Sequence, residues 1–297
     1  MRAVVVHEPG GPDVLRYEEL KPPDAGEGEV LIRVRATSVN PADWKARRGF
    51  REMQLPMMLG HDLSGTVEQS RAEGFADGDE VFGNVPQGAY AELATASADV
   101  VAKKPAGVTH EQAAAIPVAG LTAWQALFDR GGLDRGQTVL IAGAAGGVGH
   151  LAVQFAKVAG ARAIGTGSSR NREFVLGLGA DEYVDYTQQD VGETVSGVDI
   201  AFDTVGGDTT RTLVPTVREG GVIVTIAGPP PQEPGVRGEL LIMSPDAEQL
   251  ARIAELVAAG DVRVELAEVL PLSEVQRAHE LSESRHTRGK IVLTVGT

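Results

Sequence analysis

Short apolar runs between Gly- and Pro-rich breaks occupy roughly the first hundred positions of the chain. Residues 3–6, 30–34 and 100–102 have the length of buried strands, and the clearest breaks lie at 10–12, 21–24 and 105–107. Runs of this length between turn-forming residues predict a β barrel or a β sandwich.

From about Thr109 the pattern changes to short buried-type strands that alternate with helical stretches. The predicted strands are 138–142, 161–166, 198–202 and 222–226. Between the first two, Leu151, Phe155 and Val158 recur at one helical face, and Gly160 is a natural end. Alternation of this kind predicts βαβ units and a parallel sheet.

The C-terminal part continues with helical signals and closes on a strand. A helix is predicted to begin at Ser244-Pro245 and to end at Gly260, with Leu250, Ile253 and Val257 on one face, and a capping box at Ser273 opens another. The strand at 290–295 has no helix after it, so it is predicted to return to the β domain.

Charge and composition narrow the function classes. The 297 residues include 27 Lys and Arg against 41 Asp and Glu, a net charge of −14, which disfavours nucleic-acid and membrane-surface binding. The absence of cysteine excludes disulfides, thiolate nucleophiles and sulfur-ligated metal sites. No apolar run approaches a membrane span and the start lacks a signal-peptide pattern, so we expect a cytoplasmic protein.

The segment 143–149, GAAGGVG, follows a predicted strand and opens a predicted helix. Glycines at this junction let the backbone approach a pyrophosphate at the positive helix end. The usual G-x-G-x-x-G spacing requires a glycine at 144, where this chain has alanine. Two interpretations therefore remain: a dinucleotide-binding site or a purely structural glycine-rich turn.

The segment 165–172, GTGSSRNR, lies where NAD enzymes place an acid against the ribose. No acid appears before Glu173, whereas two serines and two arginines suit an extra 2′-phosphate through charge-assisted hydrogen bonds. This composition favours NADPH over NADH. The alternative is a solvated loop with incidental arginines.

Four stretches together resemble the medium-chain dehydrogenase/reductase superfamily, in its zinc-free quinone-oxidoreductase branch: 38–45 (SVNPADWK), 60–65 (GHDLSG), 144–157 (AAGGVGHLAVQFAK) and 288–293 (RGKIVL). The resemblance implies an α/β protein with a GroES-like β-barrel domain (1–112 and 264–297). A Rossmann domain with a doubly wound parallel sheet (113–263) is inserted in it. It further implies an active site in the cleft between them and a homodimer formed through the edge of the Rossmann sheet.

The resemblance also carries cofactor contacts onto individual residues. Gly146, Gly147 and Val148 are expected to cover the pyrophosphate, and Ser168 and Arg170 the 2′-phosphate. Thr122 matches a threonine beside the nicotinamide, or is a helix hydroxyl bonded to its own backbone. Tyr186 reaches the adenosine phosphate or packs at a strand end, and Gly228 approaches the nicotinamide ribose. Asp203 is expected to fix a turn.

Zinc-dependent relatives bind their metal through Cys and His ligands. His61 matches a zinc-ligating histidine, but with asparagine at position 40 and no cysteine the three protein ligands of a catalytic zinc are not available. We therefore interpret His61 as structural. The expected metal content is none.

Without a Lewis acid, alcohol oxidation lacks a means of forming an alkoxide at neutral pH. Hydride addition to a quinone or an α,β-unsaturated carbonyl needs only orientation and a donor to the carbonyl oxygen. Asn40 is the predicted donor, and Lys45 is a candidate proton donor or an ordinary exposed lysine. Trp44, Phe50 and residues 53–58 line a flat pocket or belong to the core.

These observations predict an NADPH-dependent, metal-free oxidoreductase that acts on small-molecule quinones or enones. Two alternatives remain open at this point. One is an enoyl reductase acting on a thioester or a natural-product intermediate, and the other is a non-catalytic NADPH-binding redox sensor.

Overall fold

Three sheets organise the chain in this computed structural model, which describes residues 1–50 and 54–296. The N-terminal part contains β1 (Arg2–Val6), β2 (Leu15–Glu19), β3 (Glu29–Val39), α1 (Pro41–Arg47), β4 (Met57–Met58), β5 (Asp62–Ser70), β6 (Glu80–Asn84), β7 (Leu93–Ser97), β8 (Val101–Lys103) and α2 (His110–Ala114). The central part contains α3 (Pro117–Trp124), β9 (Thr138–Ala142), α4 (Gly149–Val158), β10 (Arg162–Gly167), α5 (Arg172–Gly177), β11 (Glu182–Asp185), α6 (Val191–Thr194), β12 (Val198–Asp203), α7 (Asp208–Leu213), β13 (Val217–Thr225) and β14 (Arg237–Leu240). The C-terminal part contains α8 (Ala247–Ala259), β15 (Leu266–Pro271), α9 (Val275–Glu283) and β16 (Lys290–Thr294).

The chain divides into two units. Unit 1 comprises Met1–Val118, Pro245–Gly260 and the segment from Val264 onward, and unit 2 comprises Ala119–Ser244 with Asp261–Arg263. This division differs from the predicted one, because the first boundary lies inside α3 and residues 245–260 belong to unit 1. The reason is that α8 packs against β8, on the β side of the chain.

Unit 1 is a β structure with antiparallel pairing through most of its length. One sheet has the order β2-β1-β4, and the other has the order β15-β16-β3-β5-β6-β8, with β7 also paired to β3. The C-terminal β16 pairs antiparallel with β3, with Val292 opposite Ser38. The prediction that the last strand returns to the β domain is confirmed.

Unit 2 is built on a six-stranded parallel sheet in the order β11-β10-β9-β12-β13-β14. Counted from β9, this is the 3-2-1-4-5-6 order of the Rossmann fold, so the prediction of a doubly wound parallel sheet is confirmed. Leu140, Ala201 and Ile223 from its central strands are fully buried in its core. Parallel strands all end at the same edge, and the loops that follow β9, β10, β11 and β13 therefore lie along that edge.

Several predicted helix limits were wrong. α8 begins at Ala247, because the Asp246 carboxylate accepts the Gln249 N–H and so caps the helix. Its predicted end is confirmed, since Gly260 adopts φ 82° there. The capping box at Ser273 does not form, because a 3₁₀ turn over Leu272–Glu274 precedes α9.

The predicted face of α4 is also only partly correct. Leu151 and Phe155 are buried, whereas Val158 at its last position is exposed. Within the described ranges, every helix is too short or too polar to span a lipid bilayer.

Candidate active site

The predicted phosphate loop connects β9 to α4. β9 ends at Ala142 and α4 begins at Gly149, and between them Gly146, Gly147 and Val148 are half-buried. The backbone is therefore accessible at the N-terminal end of α4, where an anion is stabilised by the helix dipole. This is the local geometry expected of a pyrophosphate-binding turn.

The close approach of strand and helix explains the glycine at 149. A Cβ at this position would clash with the carbonyl oxygen of Gly143 and lie 2.8 Å from the Cα of Ala144. Ala144, the departure from the usual motif, is fully buried. Its methyl group faces Gly165 of β10, where a side chain would leave only 3.0 Å between the two Cβ atoms. The alanine is accommodated because the neighbouring strand carries a glycine.

The loop after β10 contains the predicted 2′-phosphate residues. β10 ends at Gly167, the half-buried Ser168 follows, and Arg170 is exposed in a 3₁₀ turn. Arg172 does not join Arg170, because its guanidinium donates to the Tyr183 carbonyl oxygen (3.2 Å) and lies over the Tyr183 ring. The prediction of 2′-phosphate binding therefore concerns Arg170 and not Arg172.

A carboxylate that the sequence analysis overlooked also reaches this loop. Asp185, at the end of β11, accepts a hydrogen bond from Ser169 Oγ. This bond, with those from Thr187, lowers the pKa of Asp185. The register that pairs Gly167 with Asp185 brings the two loops together. Hydrophobic periodicity does not show which residues of two strands lie opposite each other, so the sequence contains no signal for this contact.

Tyr186 and Gly228 lie after β11 and β13, on the same edge of the sheet. Tyr186 is 59% exposed, so it is not a packed strand-end tyrosine, and its N–H donates to Gly167 O. Gly228 is half-buried, and a Cβ there would meet no atom within 4 Å. Thr122 is buried in α3, in the same unit. These three cofactor roles stay predictions.

The predicted turn residue Asp203 is confirmed in its structural role. One carboxylate oxygen accepts the N–H groups of Val205 and Gly206, and the other accepts Thr210 Oγ1. Its carboxylate fixes the turn after β12.

Asn40 sits between two buried charges in unit 1. Its amide nitrogen donates to Asp62 Oδ2 (2.8 Å) and its amide oxygen accepts from Lys290 Nζ. Because one side faces a carboxylate and the other an ammonium group, the orientation of the amide is fixed. Asn40 is only 2% exposed. The donor role predicted for Asn40 therefore falls to the amide hydrogen that does not face Asp62.

Asp62 also fixes the surrounding backbone. Its Oδ2 accepts from Ser38 Oγ (2.6 Å), and its Oδ1 accepts the Val118 N–H (2.9 Å) near the start of α3. Lys290 Nζ lies 3.6 Å from the same carboxylate. Burial lowers the pKa of Lys290, and Asp62 opposes that shift.

Sequence reasoning quoted the stretches that contain Asp62 and Lys290 without assigning either residue a role. Each is a charged residue at the first position of its strand, β5 or β16, but only β16 is otherwise largely apolar. That placement is the available sequence signal. Nothing in the sequence shows that the two charges pair, because they are 228 positions apart and the β16–β3–β5 pairing brings them together.

A second polar chain runs from His61 into the core. Asp43 Oδ1 lies 2.7 Å from His61 Nδ1, and Asp43 Oδ2 accepts the Asn40 N–H at the start of α1. Burial alone would raise the pKa of Asp43, but the charge and hydrogen bond of His61 outweigh it and the pKa is lowered. His61 thus helps to hold α1 in place, which supports its structural interpretation.

Farther inside, His279 of α9 connects Arg47 to Tyr90. Arg47 Nη1 lies 3.2 Å from His279 Nδ1, and His279 Nε2 lies 3.3 Å from the Tyr90 hydroxyl. Because Arg47 can only donate, the imidazole accepts at Nδ1 and carries its proton on Nε2. Burial lowers the pKa of His279 to about 4.

Lys45 is exposed on α1, with its ammonium nitrogen 5.7 Å from the centre of the Trp44 ring. Of the predicted pocket residues, Trp44 is buried and Phe50 is 70% exposed. Met57 belongs to the core of unit 1, and Met53 lies outside the described residues. Within the stretch 53–58, Met57 therefore belongs to the core and does not line a pocket.

Comparison with known proteins decides the family. Residues 26–106 match the family model described as an alcohol dehydrogenase GroES-like domain, and residues 178–293 match the one described as a zinc-binding dehydrogenase. A quinone oxidoreductase of Pseudomonas aeruginosa is 34% identical, with 96% of each chain covered. The chain belongs to the medium-chain dehydrogenase/reductase superfamily. Within that superfamily it is quinone-oxidoreductase-like.

Two further relatives have names that mention NADPH. The chloroplastic NADPH-dependent alkenal/one oxidoreductase of Arabidopsis thaliana is 33% identical and covers 99% of this chain and 79% of its own. A solved structure of Escherichia coli quinone oxidoreductase complexed with NADPH is 30% identical. It has a TM-score of 0.89 and covers 99% of this chain and 100% of that one. The predicted GroES-like and Rossmann architecture is thereby confirmed.

The zinc named in one family description does not fit the residues of this quinone-oxidoreductase-like chain. A catalytic zinc needs three protein ligands, and the described residues contain no cluster of three His, Cys, Asp or Glu side chains placed to hold a metal. His61 Nδ1 already faces Asp43, and Asn40 faces Lys290 and Asp62. The side chains at positions 40 and 61 thus already have hydrogen-bond partners within the protein.

Proposed function

We propose that the protein is an NADPH-dependent reductase of quinones and α,β-unsaturated carbonyls. The observation that carries the cofactor assignment is the loop after β10, where Ser168 and Arg170 follow the strand and the segment 165–172 itself contains no acidic residue. The names of the relatives, quinone oxidoreductase and alkenal/one oxidoreductase, support the acceptor class.

Unit 2 provides the cofactor residues. Gly146, Gly147 and Val148 would hold the pyrophosphate at the start of α4, and Ser168 with Arg170 would hold the 2′-phosphate. Their accessible backbone and side chains fit such a group, since two anionic centres would meet a helix N-terminus and a guanidinium. When bound, NADPH supplies the hydride.

Reduction of an enone or a quinone consumes one hydride and one proton. The hydride leaves negative charge on the carbonyl oxygen, and a preorganised N–H there stabilises it. Asn40 is the proposed donor, because Lys290 and Asp62 hold its amide in one orientation. The proton comes from solvent or from the exposed ammonium group of Lys45.

The cofactor assignment is tested by binding measurements on two neighbouring arginine variants. Loss of a charge-assisted hydrogen bond predicts that Arg170→Ala weakens NADPH binding about 10- to 100-fold and leaves NADH binding nearly unchanged. Arg172→Ala is the matched control, because its guanidinium faces Tyr183, and its NADPH affinity should change far less. Equal affinity of the wild type for NADH and NADPH would show the assignment to be wrong.

The reaction class is tested with a panel of quinones, enones and enoyl thioesters, following NADPH absorbance. Sustained consumption identifies an enzyme and excludes the redox-sensor alternative, while the preferred acceptor separates the enone reductase from the thioester reductase. Removal of one oxyanion donor costs about 10²–10³ in turnover. Asn40→Ala should therefore slow enones more than quinones, whose reduced form is aromatic. Full activity of this variant on both acceptors would eliminate Asn40 as the donor.

A further inference from the structure

A surface depression of about 440 Å³ lies in unit 1 beside α1 and the end of α9, apart from the Asn40 cluster. Its described lining is Trp44, Lys45, Arg48, Phe50, Glu283 and Arg285. Neither the proposed cofactor contacts nor the Asn40 donor role uses this depression; of the residues proposed for the reductase reaction it contains Lys45, the alternative to solvent as the proton source. Its composition is unusual for the protein that carries it.

Positive charge collects around one indole ring. Lys45 Nζ, Arg48 Cζ and Arg285 Cζ lie 5.7, 5.9 and 5.9 Å from the centre of the Trp44 ring. The carboxylate in the described lining, Glu283, is paired with Arg48 and with the buried Arg47 behind it. A chain with a net charge of −14 thus has a concave patch in which cations outnumber carboxylates. Such a patch attracts anions.

Trp44 brings an unsatisfied donor to the depression. The residue is 6% exposed, and among the described residues its Nε1 is the buried side-chain nitrogen or oxygen that has no hydrogen-bond partner. Buried indole N–H groups usually find an acceptor, and leaving one unpaired is unfavourable. Trp44 lines the depression, so an anionic oxygen bound against the edge of its indole ring would supply the missing acceptor.

Arg285 occupies a backbone conformation that favours glycine. It follows the last turn of α9 with φ 55°, and among the described residues it is the non-glycine residue with positive φ. Helices commonly end on glycine in this left-handed region, where any other side chain adds steric cost. The steric cost of an arginine at this position is consistent with a role for its side chain.

We propose that this depression binds an organic acid that joins a carboxylate or a similar anion to a flat apolar body. Lys45, Arg48 and Arg285 recognise the charge, and the exposed ring of Phe50 with the face of Trp44 accepts the apolar part. The proposal does not depend on turnover or on the identity of the cofactor. It assigns this face of α1 a ligand that neither NADPH binding nor the Asn40 donor role requires.

Isothermal titration of the full-length protein without NADPH tests the proposal, with 2-naphthoate as the probe. Its neutral isostere 2-naphthamide removes the charge, and inorganic phosphate removes the apolar body. We expect 2-naphthoate to bind at least about tenfold more tightly than either, since a charge-assisted hydrogen bond is worth about 10- to 100-fold in affinity.

Two variants separate a binding role from a structural one. Arg285→Gly relieves the left-handed backbone, so it should not lower the melting temperature, whereas Trp44→Phe removes the unpaired N–H and also shrinks a buried ring, so some loss of stability is expected in that variant alone. Each should weaken 2-naphthoate binding about tenfold. Arg211→Ala is the charge control, because Arg211 is an exposed arginine of unit 2 that pairs with Asp208 on its own helix. It should leave the affinity unchanged.

The opposite results overturn the proposal. These are no measurable 2-naphthoate binding, equal affinity for the amide or for phosphate, unchanged binding in Arg285→Gly, or an equal loss in Arg211→Ala. Because no readout involves NADPH, failure here leaves the proposed reductase function standing, and failure of the reductase assay leaves this site standing.

Discussion

Replacing His279 tests whether the buried polar chain of unit 1 makes stability depend on pH. Burial lowers the pKa of His279 to about 4, against an ordinary value of 6.5, while Asp43 and Glu283 oppose that shift and Arg47 adds to it. As the pH falls below 6.5, the unfolded chain takes up the proton and the folded chain does not. Stability is therefore complete above pH 6.5 and is lost progressively between 6.5 and about 4.

The magnitude follows from the same values. At about 1.4 kcal/mol for each pH unit, the free energy of unfolding falls by about 2 kcal/mol between pH 6.5 and 5, and by about 3 kcal/mol by pH 4. His279→Gln removes the titrating group, so this dependence should disappear in the variant even though its stability at pH 8 is lower. Asp43, whose pKa is lowered from 3.8, adds to the loss only at still lower pH.

The assay is urea unfolding at several pH values between 8 and 5, in a Trp124→Phe background. Trp44 then reports on the unit that holds His279, which avoids treating two units as one transition. His110, whose pKa partial burial also lowers, is present in both proteins and cancels in the difference. Parallel loss of stability in wild type and His279→Gln would refute the reasoning.

Three further predictions concern other parts of the chain. Gly149→Ala should destabilise the protein by about 1–3 kcal/mol and weaken NADPH binding, because its methyl group meets the loop backbone; calorimetry of unfolding and of binding checks both. Lys290→Met should cost about 3–5 kcal/mol in denaturant unfolding by leaving Asp62 buried without its cation, and adding Asp62→Asn should restore part of that loss. If the protein dimerises through the edge of the Rossmann sheet, Ile242→Glu should shift it towards monomer in analytical ultracentrifugation, because Ile242 is a 76% exposed apolar residue following edge strand β14.

Elements with strong local signals could be predicted from the sequence. β9 and β12 are largely apolar, and the glycine loop after β9 has a fixed position between a strand and a helix, so their placement needs no long-range information. The C-terminal strand was also predictable as part of the β domain, because an apolar strand at the end of the chain needs a partner.

Features that depend on which segments meet in space could not be predicted. Ser273 looked like a helix cap, but the chain first forms a 3₁₀ turn. The composition of the segment 165–172 does not show that Arg172 packs on Tyr183, whereas the structure does. Asn40 is predicted as the donor, but the sequence does not show that Asp62 and Lys290, distant along the chain, bond to its amide.

The central claim is that the protein transfers a hydride from NADPH to a conjugated acceptor. The most direct measurement is the fate of the cofactor's own hydrogen, using NADPH deuterated at C4 on both faces, an enone and mass spectrometry of the product. The account predicts that the saturated ketone carries one deuterium on the β carbon, with one NADPH consumed per molecule reduced. A product without deuterium, or no NADPH consumption with any quinone or enone, would contradict it.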